Sequence, residues 1–258
     1  MTDLPWDEGD GIPFVGAGPG NPELITVAGR KALEGADLVV HAGSLVNSDV
    51  LEAYAPDARH VDSAGKDLEE LVGVMASAFE AGERVVRLHS GDPSIFGAAL
   101  EQIDALAERE IPAYVVPGVT AAFAASATLG TQLTLSGIAN HVAITRPQGR
   151  TLDADQDHVT EFVGMDDVTT AIYLGTHAIE GMMERLQAAG QDPETPVAVV
   201  YHASWPDEDV IRGTVADIAE QVETAGYQAS ALVLVGEVVT GGGYDRSHLY
   251  GGRAGDDS

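Results

Sequence analysis

The sequence predicts an α/β protein of two domains, with largely parallel or mixed sheets and a ligand cleft between the domains. Short valine-rich runs typical of strands alternate with helical patterns along the chain, an order that favours parallel strands covered by helices on both faces. The spacing of this alternation changes after Pro117. The length of 258 residues suits one large domain or two of ordinary size.

In the first half of the chain, each predicted strand is followed by turn residues and a helical pattern. The strands are 14–18, 37–41, 84–89 and 113–116. The helices lie near 23–34, 47–54, 67–81 and 95–109. In the second half, a helix of small residues (VTAAFAASATLG) precedes strands around 141–145, 170–174, 197–201 and 231–235.

These elements predict four segments along the chain. Residues 1–11 form an acidic extension, 12–116 an N-terminal α/β domain, 117–240 a C-terminal α/β domain, and 241–258 a glycine-rich and acidic tail. No apolar run approaches the roughly 20 residues that a membrane-spanning helix needs, and the first residues are acidic where a signal peptide is basic and then apolar. We therefore expect a soluble, cytoplasmic protein.

The charge balance is strongly acidic, with 41 Asp and Glu against 13 Lys and Arg and a formal net charge of -28. Nucleic acid is a poor partner for such a chain because phosphate binding needs clustered basic residues. The acids are spread along the chain, which favours adaptation to a salt-rich cytoplasm over an acidic interaction surface. Without cysteine, and with eight scattered histidines, we expect no protein-bound metal.

The stretch FVGAGPGNPELIT, residues 14–26, contains a glycine-rich turn between a strand and a helix. Counted from Gly16, the third position of a dinucleotide G-x-G-x-x-G falls on Asn21, and no Gly-Lys-Ser/Thr of a P-loop follows. Asn21 and the proline after it instead predict a helix start. The loop around Pro19 then lies at the carboxyl end of a strand, where open parallel sheets bind ligands. A tight turn without a ligand is the alternative.

Two further loops of small residues also follow predicted strands. RLHSGDPSI, residues 87–95, carries Asp92 after a strand, either as the cap of a helix that begins at Pro93 or as a carboxylate for a ligand with hydroxyl and amine groups. PGVTAA, residues 117–122, offers small residues that allow a bulky group to approach closely. Together the three loops predict one wall of a ligand cleft.

These segments resemble those of a known family, the tetrapyrrole methylases, which transfer a methyl group from S-adenosylmethionine to carbon atoms of corrin precursors. The resemblance rests on GAGPGNPELIT, HSGDPSIFGA, PGVTAA and AIYL at 171–174, and it runs from about residue 12 to residue 250. Further segments resemble the branch of the family that methylates C-11 of precorrin-4 or cobalt-precorrin-4 in cobalamin biosynthesis. They are AGSLV at 42–46, DSA at 62–64, the TR and GRT elements within 145–151, SWPDE at 204–208 and RGT at 212–214.

The resemblance implies that S-adenosylmethionine binds in a bent form between the domains. The residues that it assigns to this methyl donor are Pro19, Ser90, Gly91, Asp92, Ile95, Thr120, Ala121, Leu174 and Ala203. For Leu174 and Ala203, ordinary core packing is the alternative. Methyl transfer to an electron-rich carbon needs alignment and a dry cleft more than a protein nucleophile.

The resemblance also implies a tetrapyrrole substrate, and any cobalt would arrive inside that substrate. The residues expected to border it are His41, Ser44, Leu45, Arg146 and Arg150, with Arg87 and Lys66 as weaker candidates that have a solvated surface role as the alternative. The arginines suit its carboxylates.

His41 is the candidate for proton transfer, with a structural hydrogen bond as the alternative. A related enzyme has an aspartate proposed as a base where this chain has Ala42, so that role is not transferred. The resemblance implies a homodimer. Two other functions stay open: methylation of another ring position or of a non-corrin substrate such as a diphthine precursor, and a nucleotide-binding module without catalysis.

Overall fold

The computed structural model describes residues 10–147, 158–165, 167–227 and 229–245. These residues form two compact units. The first contains the chain up to Ala121 together with Ser204–Pro206, and the second contains Ala122–Ala203 and the chain from Asp207 onward. No helix in the described ranges is long and apolar enough to cross a membrane.

The first unit is built on a sheet of parallel strands in the order β3-β2-β4-β1-β5. The strands are β1 Ile12–Gly16, β2 Leu38–His41, β3 Arg59–Asp62, β4 Val85–His89 and β5 Ala113–Val116. Its helices are α1 Val27–Glu34, α2 Ser48–Tyr54, α3 Leu68–Glu80 and α4 Ala99–Ala107. The β1 strand lies inside the sheet, which brings the loop after it between the loops that follow β4 and β5.

Side-chain oxygens cap most of these helices, which explains where each one begins. Asn21 caps a short 3-10 turn at Pro22–Leu24, and Thr26 then caps α1 by accepting a hydrogen bond from the amide of Gly29. Asn47 caps α2, and Asp67 forms a capping box with Glu70 at the start of α3. The helix start predicted at Asn21 is therefore present, although it opens one 3-10 turn and α1 begins separately.

Both faces of the first sheet are buried against helices. The side chains of Ile12 and Phe14 lie in one apolar cluster with residues of α3 and α4. Val15 points to the opposite face and packs with Leu33 of α1 and Val50 of α2. This alternation along a single strand is what a sheet covered on both faces requires.

The second unit holds a mixed sheet in the order β6-β7-β10-β8-β9. The strands are β6 His141–Thr145, β7 Val168–Ile172, β8 Pro196–Tyr201, β9 Asp209–Thr214 and β10 Ala231–Val235. Its helices are α5 Ala121–Leu129, α6 Ile179–Ala188 and α7 Ile218–Ala225. The first residue of α5, Ala121, still belongs to the first unit. The small residues of α5 pack on one face of the sheet, and α6 and α7 cover the other.

The predicted fold class is confirmed, with one parallel and one mixed sheet, each covered by helices. Two strands were missed, β3 and β9. Both are edge strands, and β3 reads RHVD with charged and exposed side chains. The side chains of both strands are exposed or half-buried, so neither carries the valine-rich run of a fully buried strand.

Candidate functional site

The loops predicted to bind a ligand all leave one edge of the first sheet. Because β1, β2, β4 and β5 are parallel, their carboxyl ends lie at that edge. The first loop follows β1, the second follows β4 and the third follows β5, and β4, β1 and β5 are consecutive in the sheet. This is the edge where open parallel sheets bind ligands.

The three loops pack backbone against backbone at glycines. A Cβ atom on Gly118 would lie 2.1 Å from the carbonyl oxygen of Gly91 and 2.8 Å from Cα of Gly16. A Cβ atom on Gly16 would lie 2.6 Å from Cα of Gly118 and 2.6 Å from the carbonyl oxygen of Gly91. Gly18 and Gly91 also exchange a pair of hydrogen bonds, N to O at 3.2 Å and 2.9 Å. No residue with a side chain fits at Gly16 or Gly118 without moving a backbone.

Asp92 ties the second loop to the third through its carboxylate. Oδ2 accepts a hydrogen bond from the amide of Gly118 at 2.8 Å. Oδ1 accepts from the amide of Ser94 at 2.8 Å and from the Ser94 hydroxyl. Burial raises the pKa of Asp92, but the hydrogen bonds from Ser94 and Gly118 outweigh it, so the net pKa is lowered and the side chain is an anion at neutral pH.

Asp92 is not a helix cap. The helix after the second loop, α4, begins only at Ala99, so the predicted helix start at Pro93 is wrong. The intervening segment contains Phe96 and Ala98 in the left-handed region, with φ of 52° and 48°. Strained backbone of this kind persists where surrounding contacts hold it, and it is frequent at ligand sites.

Pro19 and Gly20, at the tip of the first loop, are held from two sides. The indole Nε1 of Trp205 donates a hydrogen bond to the carbonyl of Pro19 at 2.8 Å. The side-chain amide of Asn47, which is 5% exposed, donates to the carbonyl of Gly20 at 3.1 Å. The carbonyl groups of this tip are thus fixed by neighbouring side chains.

The other predicted donor residues of the first unit lie on the second and third loops. Ser90 is exposed and Ile95 is half-buried. A Cβ atom on Gly91 would lie 3.6 Å from Cα of Thr120 and 3.8 Å from the amide nitrogen of Ala121. Thr120 is buried, at 7% exposure. The structure therefore brings Thr120 and Ala121 of the third loop close to Gly91 of the second.

Three predicted substrate residues of the first unit, His41, Ser44 and Leu45, lie at the end of β2 or just after it, at the same edge of the sheet. His41 is the last residue of β2, and Ser44 and Leu45 lie exposed in the short 3-10 helix Gly43–Leu45. Asp62 is the partner of His41 across the strand pair. Burial lowers the pKa of His41, and the nearby carboxylate of Asp62 partly opposes this effect.

Arg87 and His89 are buried beneath this edge. Arg87 is 4% exposed, and its guanidinium donates to Gln102 Oε1 at 2.9 Å and to the carbonyl of Val40 at 3.1 Å. Burial lowers the pKa of Arg87 to about 10 and that of His89 to about 3. The solvated surface role weighed for Arg87 is therefore wrong. Its guanidinium joins β2, β4 and α4 inside the unit.

In the second unit, three of the predicted residues share one sheet edge. β6, β7 and β8 run in the same direction because β7 and β8 are both antiparallel to β10. Arg146 is the first residue after β6, and Leu174 and Ala203 are the second residues after β7 and β8. Leu174 is 48% exposed with φ of 55°, and Ala203 is 6% exposed. Arg150 lies outside the described residues.

The sequence interpretation missed Asn47 and Trp205 as parts of the site. Asn47 carried only the signal of a helix cap, which it is, since its Oδ1 accepts from the amide of Asp49 at 3.1 Å. Trp205 lies in SWPDE, a segment that contributes to the family resemblance, but the sequence assigned it no role. Its contact with Pro19 joins residues 186 positions apart, and no local pattern indicates such a contact. Within the described ranges, no group of three or more His, Asp or Glu side chains could hold a metal ion.

Comparison with known proteins agrees with this architecture. The sequence profile of the tetrapyrrole (corrin/porphyrin) methylases matches residues 11–219. The cobalt-precorrin-4 C(11)-methyltransferase of Methanocaldococcus jannaschii is 48% identical over 237 residues, which cover 92% of this chain and 91% of that protein. The precorrin-4 C(11)-methyltransferase of Pseudomonas aeruginosa is 41% identical over 238 residues, with 92% and 94% covered.

Solved structures show the same likeness. The X-ray structure of a cobalt precorrin-4 methyltransferase matches with a TM-score of 0.82 and 38% identity, covering 88% of this chain and 95% of that one. A uroporphyrin-III C-methyltransferase from Thermus thermophilus, complexed with S-adenosylhomocysteine, matches with a TM-score of 0.75 and 31% identity, covering 90% and 99%. By sequence profile, by relatives and by structure, the chain belongs to the tetrapyrrole (corrin/porphyrin) methylase family.

Proposed function

We propose that this protein transfers a methyl group from S-adenosylmethionine to C-11 of precorrin-4 or cobalt-precorrin-4 in cobalamin biosynthesis. The observation that carries the proposal is the contact of Gly16, Gly91 and Gly118 at the carboxyl edge of a parallel sheet, fastened by Asp92. The names of relatives up to 48% identical along nearly the whole chain support this ring position.

The donor side of the site is assigned to the three loops of the first unit. Ser90, Gly91 and Asp92 bind the amino-acid and ribose portions of the donor, because an anionic carboxylate accepts from both ammonium and hydroxyl groups. The carboxylate of Asp92 already accepts three hydrogen bonds, so its position is fixed before the donor binds. Pro19, Ile95, Thr120 and Ala121 line the same region.

Leu174 and Ala203 of the second unit are assigned to the adenine region of the donor. The left-handed backbone of Leu174 supports this role, because a leucine tolerates such a conformation only at a cost. Nearly half of its side chain is exposed, so core packing does not account for the residue.

The chemistry needs little from protein side chains. The nucleophilic ring carbon displaces the methyl group in line from the sulfonium of the donor, the C–S bond breaks with its electron pair passing to sulfur, and the methylated ring loses a proton. The chain supplies orientation and exclusion of water. His41 is assigned as the acceptor of that proton, because its lowered pKa leaves the imidazole neutral at neutral pH.

The substrate carries several carboxylates, whereas the protein has a net charge of -28. We assign Arg146 and Arg150 to these carboxylates, since a guanidinium can hold one with two parallel hydrogen bonds. Ser44 and Leu45 border the macrocycle. No residue is assigned to cobalt, which would belong to the substrate.

Three further properties are part of the proposal: a homodimer, a cytoplasmic location and adaptation to high salt. At molar salt the screening length falls to about 3 Å, so repulsion among the excess carboxylates weakens. The unfolding temperature should then rise between 0.1 and 2 M KCl more than in sucrose of equal osmolality. Equal effects of the two solutes would contradict salt adaptation. A monomeric mass by light scattering in molar KCl would contradict the dimer.

Calorimetry in molar KCl tests the donor assignment. We expect S-adenosylhomocysteine to bind with a stoichiometry of one per chain. Binding of NAD or ATP in its place would favour a nucleotide-binding module and contradict the methylase. Methylation of another ring position or of a diphthine-type substrate is the alternative within the family, and the position of a transferred label distinguishes it.

A further inference from the structure

Trp205 makes a direct contact with the tip of the first loop. Its indole Nε1 donates to the carbonyl oxygen of Pro19 at 2.8 Å. Trp205 belongs to Ser204–Pro206, the short segment from the second half of the chain that packs within the first unit. The loop that supplies Pro19 is therefore shaped partly by a residue far away in sequence.

The ring of Trp205 also occupies the space beside Gly20. A Cβ atom on Gly20 would lie 1.9 Å from Cδ1 and 2.1 Å from Nε1 of the indole. Gly20 is buried and has a φ of 157°. The glycine is required at this position because the indole takes the volume that a side chain would fill.

Neighbouring contacts hold the indole and the loop in this arrangement. The amide of Asn21 donates to the Ser204 hydroxyl at 3.0 Å. Ser204 has a φ of 69°, a left-handed conformation that an L-residue adopts only with strain. The strained residue lies beside Trp205, and together the two residues contact three consecutive loop residues, Pro19, Gly20 and Asn21.

We propose that Trp205 is a positioning residue for the methyl donor. Its N–H and its indole ring fix the path of Pro19 and Gly20, and through them the wall of the site on which the donor rests. Trp205 acts on the donor through the loop, and the inference rests on the proposed function. Loss of the indole N–H leaves the carbonyl of Pro19 without this donor and frees the loop tip to change shape.

The variant Trp205→Phe tests this role, because phenylalanine keeps an aromatic ring and removes the N–H donor. Trp6→Phe makes the same change at the other tryptophan of the chain, before the residues matched by the family profile, and is the matched control. Ser204→Ala, which removes the acceptor for the Asn21 amide, is a second variant in case Trp205→Phe fails to fold. The measurements, all in molar KCl, are the Kd of S-adenosylhomocysteine by calorimetry, KM for the donor and for the tetrapyrrole, and amide hydrogen exchange of residues 17–24.

We expect Trp205→Phe to raise the Kd of S-adenosylhomocysteine and KM for the donor by about tenfold, consistent with loss of one partly buried hydrogen bond. Amide exchange at 17–24 should become faster with or without ligand. KM for the tetrapyrrole should stay unchanged, and Trp6→Phe should match the wild type. A general loss of stability would not separate the two KM values in this way.

Other outcomes identify what has failed. An unchanged Kd in folded Trp205→Phe would overturn the inference, even if amide exchange at 17–24 became faster. A raised Kd with unchanged exchange would also overturn it, because Trp205 would then act on the donor directly. Failure of the wild type to bind S-adenosylhomocysteine would instead contradict the proposed function, and the exchange comparison would still report whether Trp205 holds the loop.

Discussion

The carboxylate of Asp92 accepts a hydrogen bond from the backbone amide of Gly118 at 2.8 Å. This contact links the loop after β4 to the loop after β5, and between them, at the end of β1, lies Gly16 in backbone contact with Gly118. One ionised side chain therefore fixes the spacing of the loops while keeping its negative charge at the candidate site. Asp92 is therefore assigned two roles: it holds two loops together, and it binds the methyl donor.

Replacement of Asp92 by asparagine tests whether its charge contributes to donor binding. Asp92→Asn keeps the size of the side chain but removes the anion, so we expect donor binding to weaken by about 1.5–3 kcal/mol, measured as the Kd of S-adenosylhomocysteine. Asp104→Asn changes an exposed carboxylate on α4 and should have no effect. Unchanged affinity in Asp92→Asn would reduce Asp92 to a tie between two loops.

Alanine at Gly118 tests the backbone contact between the loops. The new Cβ atom would lie 2.1 Å from the carbonyl oxygen of Gly91, so we expect a loss of about 1–3 kcal/mol in the free energy of unfolding. Gly73→Ala, in α3 with no neighbouring atom within 4 Å of the new Cβ, should instead stabilise the protein by about 0.5–1 kcal/mol. Urea unfolding curves give both values, and equal stability of the two variants would contradict the packing.

Glycine at Leu174 separates backbone strain from donor binding. Leu174 and Glu110 both have left-handed backbones, with φ of 55° and 59°. Leu174→Gly and Glu110→Gly should each relieve strain of about 1 kcal/mol, seen as a higher unfolding temperature. Only Leu174→Gly should weaken binding of S-adenosylhomocysteine, because Glu110 has no assigned role. If both variants bind the ligand as the wild type does, the adenine assignment of Leu174 is wrong.

His89 should make the stability of the protein depend on pH. Burial lowers its pKa from 6.5 to about 3, so the unfolded chain binds this proton more readily than the folded chain. The contribution of neutral His89 to the free energy of unfolding is fully present above pH 6.5 and declines as the pH falls toward 3. Between pH 7 and pH 5 we expect a loss of about 1–2 kcal/mol.

The matched variant for this measurement is His89→Gln, which carries no titrating group at residue 89. At each pH, the free energy of unfolding of His89→Gln is subtracted from that of the wild type. The many carboxylates titrate in both proteins, so the difference reports His89 alone. A difference that stays constant between pH 7 and pH 5 would show that His89 is protonated equally in both states.

Four of the five strands of the first unit, β1, β2, β4 and β5, and the ligand loops could be predicted because each signal is local. A valine-rich run, a glycine turn and a capping asparagine lie within a few residues of one another around Asn21 and around Asn47. The strand β3 could not be predicted in this way because its exposed sequence RHVD has no apolar pattern. The strand is recognised only by its backbone pairing with β2.

The contacts of the site depended on residues far apart in sequence. Gly16 and Gly118 both lie in segments predicted from the sequence, but their backbone contact requires that β1 and β5 be neighbours in the sheet. Trp205 reaches Pro19 across 186 positions. The segment Pro93–Ala98 was misread as helix because the Asp-Pro pattern is the same for a cap and for the turn that Asp92 forms with Ser94.

The ring carbon that receives the methyl group decides whether this protein is a C-11 methyltransferase. The protein is incubated in molar KCl with cobalt-precorrin-4 and S-adenosylmethionine labelled with carbon-13 in its methyl group, and the product is analysed by NMR. We expect a single new methyl signal that correlates with C-11 of the ring. A label on any other carbon of the macrocycle would contradict the C-11 assignment.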